Sequence, residues 1–154
     1  MTDKAPWRAS AVLLILAGLS ITGIGVYFVV VRPPLLPEDL RFLGTSAVDI
    51  AAGTPRLAAW LSNVFRVLGG YALATGLLTI ALAATSYRRR EPLAIAGAVA
   101  AGASGIGLMV FTNFAINSDF RWVLLALALL WVASLISVTL EARNSTPISM
   151  LERN

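Results

Sequence analysis

Along the chain, apolar stretches of nearly constant length alternate with short polar or proline-bearing breaks. Ala11 to Val31 runs for 21 residues without a charge and ends at Arg32-Pro33-Pro34. From Thr54 to Arg90 no proline follows Pro55, and the apolar part, Val67 to Tyr87, lies between Arg66 and the Arg88-Arg89-Arg90 run. Two further apolar runs cover 93–114 and 120–140. About 20 apolar residues make a helix long enough to cross a hydrocarbon layer of roughly 30 Å. Within that layer the backbone must satisfy its own hydrogen bonds. The pattern predicts an all-α, four-helix transmembrane bundle forming a single membrane domain, with spans at about 11–31, 57–86, 93–114 and 120–140.

The breaks carry their own signals. Thr54 reads as an N-cap with Pro55 at the first helical position, and Ser118 or Asp119 as the cap of the fourth span. In the long connection, Glu38 to Leu43 is a short helical piece with acids at its positive end and Gly44 as its stop. Ser46 to Ala52 is a second, closed by Gly53. Leu40, Leu43, Val48 and Ile50 make segment 37–53 apolar enough to lie in the interface and cap the bundle, the alternative being an ordinary ordered loop. The first run is longer than the 7–15 apolar residues of a secretory signal and lacks a small-residue cleavage site, so it reads as a retained span. Residues 141–154 form a polar tail, whose Asn144-Ser145-Thr146 matches a glycosylation sequon on the side expected to escape modification.

Composition narrows the chemistry. The chain is 58% hydrophobic and 13% charged, where soluble domains carry about a quarter charged residues. It has no cysteine and no histidine, which removes disulfides, thiolate and imidazole metal sites, cysteine nucleophiles and any Ser–His triad. No metal and no cofactor is expected. The net charge is +4, but the basic residues flank apolar runs and form no stripe, so the reading excludes nucleic acid.

Those same residues set orientation. Lys4, Arg8, Arg88, Arg89, Arg90, Arg143 and Arg153 fall on one side, and Arg32, Arg41, Arg56, Arg66 and Arg121 on the other. Seven against five, with three in one very short loop, places both termini in the cytoplasm of a cell whose plasma (inner) membrane holds the protein. Trp7 and Tyr87 then lie at the inner interface and Tyr27, Trp60 and Trp122 at the outer one, while Trp131 falls mid-span and fits neither belt.

Two constellations are candidates for function. In the third span Gly97, Ala101 and Gly105 share a helical row, with Ala94, Ala98 and Gly102 on the adjacent row. Close approach through small residues drives helix association in lipid, so this span is expected to be central, with Gly18 and Gly25 in the first span and Gly69, Gly70 and Gly76 in the second as further contact points. At the outer side, Asn63, Arg66 and Gly70 fall on one helical face. An arginine deep in the membrane costs at least about 2.5–3.5 kcal/mol on the insertion scale, less if it snorkels to the interface, so Arg66, which abuts the apolar run, should have a carboxylate partner. The expected partner is Asp119 or Asp49, and with Asn63 and Asn113 the pair would line a small polar pocket under the interfacial cap. The bland alternative is an ion pair that staples loop to bundle. No Asp, Glu or Lys lies in the middle of any span, which argues against proton-coupled transporters and ion pumps.

The stretches Pro37-Glu38-Asp39-Leu40-Arg41 and Asn63-Val64-Phe65-Arg66-Val67-Leu68-Gly69-Gly70, with Asn113-Phe114 and Asp119-Phe120-Arg121, resemble small bacterial four-span integral membrane proteins. That resemblance implies a four-span fold and marks Arg66 as a shared structural or binding position. It carries over no activity. The expected function is a non-catalytic polytopic membrane protein acting through helix packing, as an accessory subunit or homo-oligomer. The alternative is a binder or carrier of a small amphipathic molecule, lipid or quinone, with the cluster around Arg66 as headgroup site. The expected partners are the lipid bilayer and a protein subunit or second copy.

Overall fold

A computed structural model describes residues 7–143; Lys4, Arg153 and the sequon lie outside them. The described residues form six helices and no strand: α1 (Ala9–Val31), α2 (Pro37–Leu43), α3 (Ala47–Gly53), α4 (Leu57–Tyr87), α5 (Pro92–Ala115) and α6 (Arg121–Arg143). Four of these, α1, α4, α5 and α6, are long and apolar enough to cross a bilayer, and together they form an all-α bundle compatible with an integral membrane protein. Their ends fall within a few residues of the sequence expectation. Thr54 is the exception, since it closes α3 through a bond from its hydroxyl to the Ile50 carbonyl, and α4 opens at Leu57.

The spans pack in the order α4–α1–α6–α5, each antiparallel to the next. The central helix is therefore α1, not the thin third span. Its seam with α4 is built on glycines two turns apart on each side, a spacing that returns to the same face. Gly25 faces Gly69, and Gly18 faces Gly76. A β-carbon on Gly25 would sit 2.5 Å from the Leu73 backbone nitrogen, and one on Gly69 would sit 2.9 Å from the Gly25 carbonyl oxygen. Here backbone meets backbone, with no room for any side chain.

The third span, α5, is peripheral and packs along α6. Of its two small-residue rows, the one turned inward is Ala94, Ala98 and Gly102: the alanines are buried and Gly102 lies beneath the Trp131 indole. The row Gly97, Ala101 and Gly105 is exposed, with open space before both glycines, and Gly70 on α4 likewise faces outward. The expectation that these four pack the bundle is thus corrected, and Gly102 alone of that set is a packing residue. The reason is Trp131. A large ring at mid-span needs a notch, and Gly102 opens a widened π-helical turn, Gly102–Gly107, that provides one. The indole N–H donates to the Ala98 carbonyl at 3.1 Å, which satisfies it far from either interface.

At the end bearing Arg88–Arg90, polar groups knit the helices together. The Tyr87 hydroxyl lies 2.9 Å from Ser134 Oγ, which donates to the Ser10 carbonyl at 2.7 Å. Ser10 in turn donates to Glu141 through its backbone N–H and its hydroxyl, at 3.1 and 2.7 Å. Arg90 donates to the Glu141 backbone carbonyl at 2.8 Å, and Arg88 lies over the Trp7 ring. We refer to this as the arginine end and to the opposite one, under α2, as the capped end.

Candidate functional site

The site grows from the way α1 stops. Its last turn widens into a π-helical segment, Tyr27–Val31, before Pro33 and Pro34 forbid continuation. Arg32 is thereby folded back against the bundle. Its side chain is only 7% exposed and pairs with Asp39 at 3.1 Å. The guanidinium also stands 3.4 Å from the centre of the Phe65 ring on α4 and 5.2 Å from that of Phe28. An arginine clasped by one carboxylate and two rings has its charge fully engaged.

Asp39 also accepts the Leu36 N–H at 2.8 Å, closing the first turn of α2. Because Pro37 starts this short helix, neighbouring residues point to different sides: Asp39 turns to Arg32, and Glu38 turns into the bundle. Glu38 is 5% exposed. One of its carboxylate oxygens accepts a bond from the Ser118 hydroxyl at 3.2 Å, and Ser118 also accepts the Phe120 N–H that leads into α6. Ion pairs join Arg32 to Asp39, Arg41 to Asp119 and Arg89 to Glu91, and Glu38 takes part in none of these three.

Beneath Glu38 the bundle is hollow. Because α5 packs on α6 and shares no packed seam with α1, a cavity of about 410 Å³ opens between α1 and α5, backed by α6 and roofed by α2. Its walls are apolar, with Ile24, Phe28, Met109, Phe120 and Leu124 among them. Its charged groups gather at the roof, where Glu38, Asp39 and Arg32 line it with Ser118 and Asn113, while Ser20 lines the wall below with its hydroxyl bonded to the Leu16 carbonyl. Asn113 donates one amide N–H to the Met109 carbonyl at 2.8 Å, which fixes its side chain at the cavity wall. A volume of this size with convergent polar groups at one end suits a small amphipathic molecule.

Of the sequence-predicted site residues, only Asn113 belongs here. Arg66 and Asn63 are exposed on α4, joined to each other by a bond at the 3.5 Å limit, and α1 stands between them and the cavity. Asp119 pairs at 2.8 Å with Arg41, both side chains more than half exposed. Asp49 accepts the Ser46 hydroxyl while donating its own N–H back to Ser46, a local cap of α3. Neither Asp119 nor Asp49 meets Arg66, so the predicted pair and pocket do not form. The physical reason is exposure: Arg66 lies on the outer surface where the apolar run of α4 begins, and its long side chain can reach the interface without a carboxylate. The residues that sequence reasoning left out of the site are Arg32, Glu38, Asp39 and Ser118.

Compared with family models, with curated proteins and with solved structures, the chain matches none of them.

Proposed function

We propose that this chain is a non-catalytic membrane protein that holds one small amphipathic molecule, of lipid or quinone kind, in the cleft between α1, α5 and α6. The polar end would lie under α2 against Glu38, Ser118 and Asn113, with the tail along Ile24, Met109 and Leu124. The observation that carries this reading is the 410 Å³ cavity whose charged groups sit at one end, the Ser20 hydroxyl lower on its wall being turned to the Leu16 carbonyl. Its setting is the plasma (inner) membrane of a bacterium with both termini in the cytoplasm, a reading supported by the basic residues around the Arg88–Arg90 turn, so that the roof faces the outer leaflet. Purification in mild detergent followed by native mass spectrometry tests it. One defined amphiphile should remain bound to the protein and be lost from Ile24→Trp, which fills the cavity; an unliganded chain indistinguishable from that variant would refute the reading.

A second reading, an accessory subunit or homo-oligomer, is favoured by the outward row Gly97, Ala101 and Gly105, which the bundle leaves unused. Gly97→Leu with Gly105→Leu should then reduce the mass of the detergent-extracted assembly, and an unchanged assembly would dismiss it.

A further inference from the structure

The roof of the cavity has a sign. Arg32 and Asp39 neutralise each other at 3.1 Å, and Arg41 is turned to Asp119 at the surface. What remains facing the hollow is the carboxylate of Glu38, a residue only 5% exposed, with a single neutral hydroxyl as its partner. A carboxylate taken from water needs a counter-charge or several hydrogen-bond donors, and one Ser–OH at 3.2 Å supplies neither. Aromatic rings line the same hollow. Tyr27 and Phe120 both line the cavity with ring centres 6.4 Å apart, and Phe28 lies beside them. A carboxylate and aromatic rings lining one apolar hollow are the groups by which an ammonium is held. A phosphate alone would meet like charge there, and a quinone carbonyl would meet an acceptor.

Resting on the amphiphile reading above, we propose that the cavity selects a headgroup bearing a protonated amine, bound by Glu38, with the hydrocarbon tail running down between α1 and α5. The chemistry is shared by amine-headed phospholipids and by simple long-chain amines. In the first the phosphate projects past the roof; in the second there is none.

The test titrates the full-length protein in mild detergent with three probes, short-chain phosphatidylethanolamine, short-chain phosphatidylglycerol and dodecylamine, and follows the bound fraction by native mass spectrometry. The wild type should prefer both amines over phosphatidylglycerol. Glu38→Gln should weaken the amines by about thirtyfold or more, the loss expected when one member of a buried charge pair is removed, and leave phosphatidylglycerol unchanged. Glu38→Asp keeps the charge and should retain the preference in part, which separates recognition from any folding defect. Binding of phosphatidylethanolamine alone would identify a phospholipid site that also reads phosphate, and dependence of that binding on Glu38 would still uphold the amine contact. Equal binding of all three probes, or an amine preference that survives in Glu38→Gln, overturns the proposal while leaving the cavity as an amphiphile site. If no probe binds the wild type more than Ile24→Trp, the amphiphile reading itself fails and takes this one with it.

Discussion

The two ends of the bundle treat polar groups in opposite ways. At the arginine end the four spans converge, and Tyr87, Ser134, Ser10, Glu141 and Arg90 bond to one another. At the capped end the spans part between α1 and α5, and Glu38 is buried with one weakly placed hydroxyl. Both ends carry a carboxylate, serines and an arginine. The difference is that the first set closes on itself, so its hydrogen-bonding capacity is consumed by structure, while the second keeps a carboxylate turned to a hollow. Stability is concentrated at one end, and unsatisfied capacity for recognition at the other.

That contrast can be broken by mutation, and the expected effects fall in a clear order. The largest is in the frame that both ends share. Gly76→Leu would drive a side chain into the Gly18 carbonyl and Thr22, where backbones already touch, and should cost at least about 3 kcal/mol or prevent folding; a folded protein with unchanged thermal unfolding would show that the seam is looser than described. Next is the arginine end. Ser134→Ala removes the group that links the Tyr87 hydroxyl to the Ser10 carbonyl, and should destabilise by about 1–3 kcal/mol in denaturant titrations.

Glu38 should behave in the reverse sense. Because its burial is poorly compensated, Glu38→Gln should leave the melting temperature unchanged or raise it, by up to about 2 kcal/mol equivalent, in the absence of ligand. A clear loss of stability would place Glu38 with the arginine-end residues and erase the difference between the ends. The smallest effects belong to the exposed groups. Arg41→Ala, which breaks the surface pair with Asp119, should change stability by about 0.5 kcal/mol or less. Arg66→Gln should leave both folding and retained amphiphile unaltered, since its side chain meets only Asn63; loss of the bound molecule in that variant would return the site to α4.

The spans were legible in the sequence to within a few residues because lipid imposes a length, and a length can be counted. The short helices at 37–43 and 47–53 were legible too, from acids at one end and glycine at the other. In the fold α2 roofs the cavity, while α3 packs on α4 and leaves Val48 exposed. The candidate site was harder to read. Asn113 is legible as a site residue, but its neighbours are not, because several arginines stand on the same side of the chain and nothing local says that Asp119 pairs with Arg41 and Asp39 with Arg32.

What the sequence determined by itself was therefore the quantity set by the solvent: how many crossings, how long, and which residues are kept to their ends. Which crossings touch was decided only in three dimensions. Helices that are apolar on every side carry no stripe to say which face is inward, so small residues alone could not distinguish the row under Trp131 from the row facing lipid. The choice of α1 as the centre rests on glycines that meet across a seam, and the hollow beside it on a tryptophan that draws α5 toward α6. Both are fits of shape between distant parts of the chain, and shape is a property that no single segment carries.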